Sequence, residues 1–128
     1  MFFLGIDYGE KNIGVAYAND DITYPLEVIS NDKQTFEKIM DMVDLYDVEK
    51  IVIGVANQKD YSTIALKAKK FGNALKQFVK IDVDFYDENF SSKDAQNIAS
   101  ELGYRSSRKI DDVAAAVLLQ NYLDDKNN

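Results

Sequence analysis

Asp7 ends an apolar run, Phe2 to Ile6, and opens onto a glycine-punctuated turn, Tyr8-Gly9-Glu10-Lys11-Asn12-Ile13-Gly14. A carboxylate delivered by a buried strand loses hydration, so keeping its charge requires a cation or several hydrogen-bond donors. The turn is therefore expected to hold a metal or a phosphate. A second apolar stretch, Val83 to Tyr86, runs out into Asp87-Glu88, and a third acidic pair, Asp111-Asp112, stands ahead of the apolar segment Val113 to Leu119. Neighbouring helical residues point about 100° apart, so Asp111 is expected to face the strand ends while Asp112 faces elsewhere.

The chain has no histidine and no cysteine. That removes the commonest general base, the commonest transition-metal ligand, thiolate sites and disulfides together. Any catalysis must run on carboxylates, lysines or hydroxyls, and an all-oxygen site selects hard cations, Mg2+ or Mn2+, rather than zinc. The formal charge of −7 opposes nucleic-acid binding unless the cations are grouped. Both arginines, Arg105 and Arg108, fall in one segment with Lys109, directly before Asp111. Guanidinium groups suit phosphate because they donate two parallel hydrogen bonds; a solvated loop is the plain alternative. The second basic group, Lys67, Lys69, Lys70, Lys76 and Lys80, reads as the wet face of a helix.

The elements that must position these groups follow from periodicity. With 128 residues, 46% apolar content, one proline and no repeat, a single domain spanning residues 1–128 is expected. The N-terminal apolar run is too short for a signal-peptide core or a membrane span, which predicts a soluble cytoplasmic protein. Strands are expected at residues 2–7, 13–18 and 22–24 as a meander, then a helix capped by Ser30 or Asn31 and ending near 46. A strand at 51–55, a helix over 63–79, a strand at 83–86, a helix from Ser91 or Ser92 to Leu102, and a helix over 111–123 complete the order βββαβαβαα. Such an order predicts a mixed five-stranded α/β sheet flanked by helices, with ligands at the carboxyl ends of the strands.

Leu4-Gly5-Ile6-Asp7-Tyr8-Gly9, Ile51-Val52-Ile53-Gly54, Asp87-Glu88 followed by Ser92 and Ala95, and Lys109-Ile110-Asp111-Asp112-Val113-Ala114-Ala115 with Leu119-Gln120-Asn121-Tyr122-Leu123 resemble the YqgF/RuvX family over essentially the whole chain. The resemblance implies a ribonuclease H-like fold in which Asp7, Glu88 and Asp111 bind divalent metal for phosphodiester hydrolysis. It also implies a substrate: structured RNA in pre-16S rRNA maturation, or Holliday junctions and other branched DNA. Lys11, Arg105 and Arg108 are the expected phosphate contacts. The family usually has Arg where this chain has Asn12 and Asn89, and a Pro-containing loop where it has residues 55–61, so Lys11 and the Arg105/Arg108/Lys109 group must supply more of the positive field.

Each acid also has an ordinary use. Asp7 can serve as an Asx-turn residue, Glu88 as an exposed loop acid and Asp111 as a helix N-cap. Asp87 is the reserve ligand if the strand end is shifted by one residue. Two other classes stay open: a nucleotide-binding fragment of the actin/hexokinase type, which also opens on an Asp and a glycine hairpin, and a catalytically inactive RNA-binding module of the same fold.

Overall fold

The N-terminal apolar run becomes the central strand of a five-stranded sheet. In the computed structural model, which describes residues 1–20, 22–56, 63–88 and 110–127, β1 (Phe3–Asp7) pairs antiparallel with β2 (Asn12–Ala18) and parallel with β4 (Lys50–Ala56). β2 pairs antiparallel with β3 (Thr23–Ser30), and β4 parallel with β5 (Asp82–Glu88), giving the order β3-β2-β1-β4-β5. The mixed sheet and its opening meander agree with the sequence reading. The carboxyl ends of β1, β4 and β5 all lie at the same end of the sheet, because parallel strands share a direction.

β3 is much longer than the expected 22–24. Leu26 to Ile29 continues the strand against β2 after a register shift between Val15 and Ala16, opposite Pro25. Proline is tolerated there because β3 is an edge strand with one side free of ladder hydrogen bonds. The first helix, α1 (Thr35–Leu45), accordingly starts later than expected, and Gln34 at its N-cap makes no side-chain capping bond. Neither Ser30 nor Asn31 caps it. The chain instead turns through Asp32, whose Oδ1 accepts the Gln34 N–H (2.8 Å), and Thr35, whose hydroxyl donates to the Ser30 carbonyl (2.9 Å).

α2 spans Thr63–Val79 as its periodicity predicts, and α3 spans Ile110–Asn127, four residues past the expected end. The helix expected at 91–102 lies outside the described residues. For residues 56, 63, 87, 88, 110–112 and 127 the description is of the backbone.

Period-two alternation sorts the strands into two faces. Leu4, Ile6, Ile13, Val15, Ile51 and Ile53 pack with Ile39 and Val43 of α1 and Leu75 and Val79 of α2. On the other face Phe3, Ala16, Ala18 and Val52 pack with Ala115, Ala116, Leu118, Leu119 and Tyr122 of α3. Val113 to Leu119 are all buried, which accounts for a helix apolar nearly all round. Close contact with the sheet depends on Gly5. A Cβ placed there would stand 3.0 Å from Leu119 Cβ and 3.1 Å from the Ala115 carbonyl oxygen.

Candidate active site at the strand ends

Asp7 is the last residue of β1, in the same alternation class as Phe3 and Gly5, and is half-buried on the α3 face. The turn that follows it is fixed from several sides. A Cβ on Gly9 would stand 2.3 Å from the Asn12 carbonyl oxygen, so no side chain fits unless the turn opens. Asn31 closes the loop from β3: its Nδ2 donates to the Gly9 carbonyl (2.9 Å), and its backbone N–H donates to the Lys11 carbonyl (2.9 Å). Tyr8 packs on Phe71 of α2, ring centroids 5.0 Å apart, and Glu10 pairs with Lys67 (3.2 Å). Sequence reasoning missed Asn31 as the staple of this turn. Its signal, an Asn directly after a strand, looked like a helix cap, because a side-chain amide satisfies a distant turn as readily as a local one.

Position 111 reaches the same place by packing. Gly5 meets α3 at Ala115 and Leu119, whereas Tyr122 lies edge-on to Phe3 (6.2 Å), so α3 runs antiparallel to β1. Asp111 precedes Ala115 by about 6 Å of helix axis, and Asp7 follows Gly5 by about 7 Å of strand. The backbone at 111 therefore draws level with Asp7 on one face of the sheet.

Position 88 arrives from β5. Asp7 is in register with Gly54, which is in register with Tyr86, so Glu88 lies two residues farther toward the carboxyl end, across β4 from β1. Asp84 and Tyr86, in the same alternation class as position 88, meet α3. Position 87 alternates with Val83 and Phe85, which pack toward α1 and α2. Strand alternation thus puts positions 7 and 88 on the α3 face and 87 on the other.

The far half of α3 is clamped to β4 and β5. Tyr122 donates its hydroxyl to Asp84 Oδ2 (2.7 Å), Lys50 Nζ lies 3.3 Å from the same oxygen, and Tyr86 donates to Asp125. Lys126 sits over the rings of Tyr122 (5.4 Å) and Phe3 (5.9 Å). The Tyr122 hydrogen bond holds the Asp84 carboxyl below its ordinary range; the Lys50 charge adds to this and burial opposes it. Burial first, then the bond to Asp84, pushes the Tyr122 phenol up. This network ties the last turns of α3 to β4 and β5.

Among the expected phosphate contacts, Lys11 is exposed in the turn after Asp7. Arg105, Arg108 and Lys109 lie outside the described residues, as does Asn89. Among the described residues no three acids form a group able to hold a metal ion, and of the three acids considered only Asp7 has its side chain within that set. The donor chemistry fits a hard cation: the three positions offer carboxylate oxygens only. Among the described residues no helix is long and apolar enough to cross a membrane.

Comparison with known proteins agrees with this architecture. The family model described as "RuvX: Holliday junction resolvase" matches residues 1–125. A protein of Sulfurihydrogenibium sp. (strain YO3AOP1) named "Putative pre-16S rRNA nuclease" is 38% identical over 128 residues, covering 94% of this chain and 88% of its own. One of the same name from Syntrophomonas wolfei is 34% identical, covering 97% and 94%. Among solved structures, T. thermophilus RuvC in complex with a Holliday junction substrate superposes with a TM-score of 0.68 at 16% identity, covering 100% of this chain and 96% of that one. The Fowlpox virus resolvase, in complex with Holliday junction DNA, gives 0.67 at 17%, with complete coverage of both chains. These likenesses establish the ribonuclease H-like fold. By the family match across nearly its whole length and by relatives above 30% identity, this chain belongs to the RuvX family.

Proposed function

We propose that residues 1–128 form a single divalent-metal-dependent nuclease domain that hydrolyses phosphodiester bonds in structured nucleic acid, with 5'-end maturation of pre-16S rRNA in the cytoplasm as its task. What supports this reading is that strand alternation puts positions 7 and 88 on the sheet face that α3 covers, near the carboxyl ends of the strands, with position 111 in the first turn of α3. Asp7, Glu88 and Asp111 are the residues that would hold Mg2+ or Mn2+. Bound there, the metal would supply a nucleophilic water at neutral pH and stabilise charge on the phosphoryl oxygens, work that a chain without histidine cannot assign to an imidazole. Asp7, fixed between a paired strand and a stapled turn, gives the site its rigid member. Lys11, Arg105 and Arg108 bind substrate phosphates and orient the scissile bond. The family description and the junction-bound fold neighbours favour branched DNA as a second substrate reading.

A magnesium-titrated cleavage assay on matched precursor-rRNA and four-way-junction substrates, with Asp7→Asn as control, tests the proposal. The expected result is metal-dependent cleavage of the precursor, falling by about a hundredfold or more in the variant. Equal, magnesium-insensitive cleavage by both proteins would reject the mechanism, and binding without cleavage would leave an RNA-binding module. Faster cleavage of the junction would move the assignment to DNA.

A further inference from the structure

Charge is distributed unevenly over the fold. Residues 61–81 contain five lysines and no acid, so a chain of net −7 carries +5 in this segment and −12 everywhere else. The neighbouring helix α1, on the same face of the sheet, holds Glu37, Asp41 and Asp44 against Lys38 alone. Only Lys67 of the five is neutralised within the described residues, by Glu10; Lys69, Lys70, Lys76 and Lys80 make no ion pair there. Three such cations on α2 and a fourth directly after it create, in an acidic protein, a local field that repels neighbouring lysines and attracts anions.

Position makes this field useful. α2 starts beyond the carboxyl end of β4, and its first half lies against the turn after Asp7 through Tyr8–Phe71 and Glu10–Lys67. At 100° per residue, with Ala65, Ala68, Leu75 and Val79 marking the buried side, Lys69 and Lys76 fall on one flank of the helix, Lys67 on the other and Lys70 opposite the buried side, while Lys80 follows the helix directly with a left-handed backbone (φ 59°). The Lys69-to-Lys80 row is about 16 Å long, the rise of roughly five nucleotides in one strand of a duplex. It ends at an open cleft lined by Lys76, Gln77, Lys80, Ile81 and Asp82. Asp82 is the one acid at that cleft.

We propose that Lys69 and Lys76 on one flank of α2, continued by Lys80, form a docking track for the phosphate backbone of the substrate nucleic acid, carrying the strand from the sheet end onto the face opposite α3. The inference rests on the nuclease reading for the identity of the substrate. Lysine suits such a track because, as a point charge on a flexible stem, it binds phosphate without fixing register or sequence. Leu66, exposed on the same helix, lies beside the track, whereas Phe78 is on the opposite flank against Phe36 of α1.

The test measures binding in the Asp7→Asn background, where cleavage is not expected to interfere, using fluorescent precursor-rRNA and four-way-junction probes across a salt series. The Lys69→Gln/Lys76→Gln pair is compared with Lys33→Gln/Lys38→Gln, which removes the same charge beside and within α1. The α2 pair is expected to flatten the slope of log affinity against log salt by about 1.5 to 2 and to weaken binding about tenfold or more at low salt. The α1 pair should leave the slope unchanged, and both should keep the parent's urea midpoint. An unaltered slope in the α2 pair, or equal flattening in both, would overturn the track, as would tighter binding to anionic lipid vesicles than to either nucleic acid. Wild-type cleavage in magnesium is scored separately, so a missing nuclease activity with a flattened slope would count against the reaction and not against the track.

Discussion

The two faces of the sheet are packed by opposite means. Toward α1 and α2 the interface is made of large aliphatic side chains, Leu4, Ile6, Ile13, Ile51 and Ile53, with an aromatic seam of Tyr8, Phe36 and Phe71. Toward α3, beside Phe3, Leu118, Leu119 and Tyr122, small residues predominate on the sheet side and along the helix: Gly5, Gly54, Ala16, Ala18, Ala115 and Ala116 let a helix lie almost on the backbone of the sheet. Large side chains have alternative rotamers and can repack around a small change, whereas contact between backbone and Cβ leaves nothing to rotate. The first face thus supplies most of the apolar burial, about 1.5–3 kcal/mol for each fully buried large side chain. The second supplies position. It is the face to which positions 7 and 88 belong by strand alternation.

The sharpest break in this contrast is Gly5→Val. Its Cβ would press on Leu119 and the Ala115 carbonyl and push α3 outward, costing about 3 kcal/mol or more, whereas Ile53→Val on the opposite face should cost about 1 kcal/mol. Urea unfolding of both variants measures the difference; similar costs would show that α3 can slide. Gly9→Ala comes next, because its Cβ meets a carbonyl oxygen at 2.3 Å: the turn must open, with a loss of about 2 kcal/mol and of the proposed cleavage activity, read by melting and by the magnesium assay.

Asn31→Ala sharpens the comparison more gently. It removes the bond to the Gly9 carbonyl and should cost about 1 kcal/mol while leaving the α3 interface intact. The smallest effect belongs to the clamp at the far end of α3. Asp84 has a depressed carboxyl pKa in the folded chain, so its contribution is present above the unfolded carboxylate value of about 4 and is lost as pH falls through the lower folded value. Half-exposed as it is, the group should contribute no more than about 1 kcal/mol. The stability gap between wild type and Asp84→Asn should be constant near neutrality and close below about pH 4. Tyr122→Phe should shrink the same pH-dependent difference, because the Tyr122 hydroxyl is the main cause of the shift.

Much of this was legible in the chain because it depends on local rules. The apolar run into Asp7, the helix over 63–79 and the apolar last helix all announce themselves by period and composition. The length of β3 and the late start of α1 did not, since a polar stretch such as Ser30-Asn31-Asp32 satisfies a turn, a cap or a strand end equally well. Asn31 was assigned to the wrong partner for that reason. The lysines of α2 looked like an ordinary solvated face, and only the neighbouring acidic α1 and the contact with the Asp7 turn set them apart.

Sequence alone determined the chemistry available: oxygen ligands without histidine or cysteine, and an acid at the end of each of two strands and at the start of a helix. Tertiary structure decided which acid positions share a face. Strand alternation separates 87 from 88, and the glycine and alanine contact under α3 sets the level of 111. Those relations join residues roughly eighty to a hundred positions apart, where no periodicity in the chain reaches and only the excluded volume of packed backbone fixes the distance.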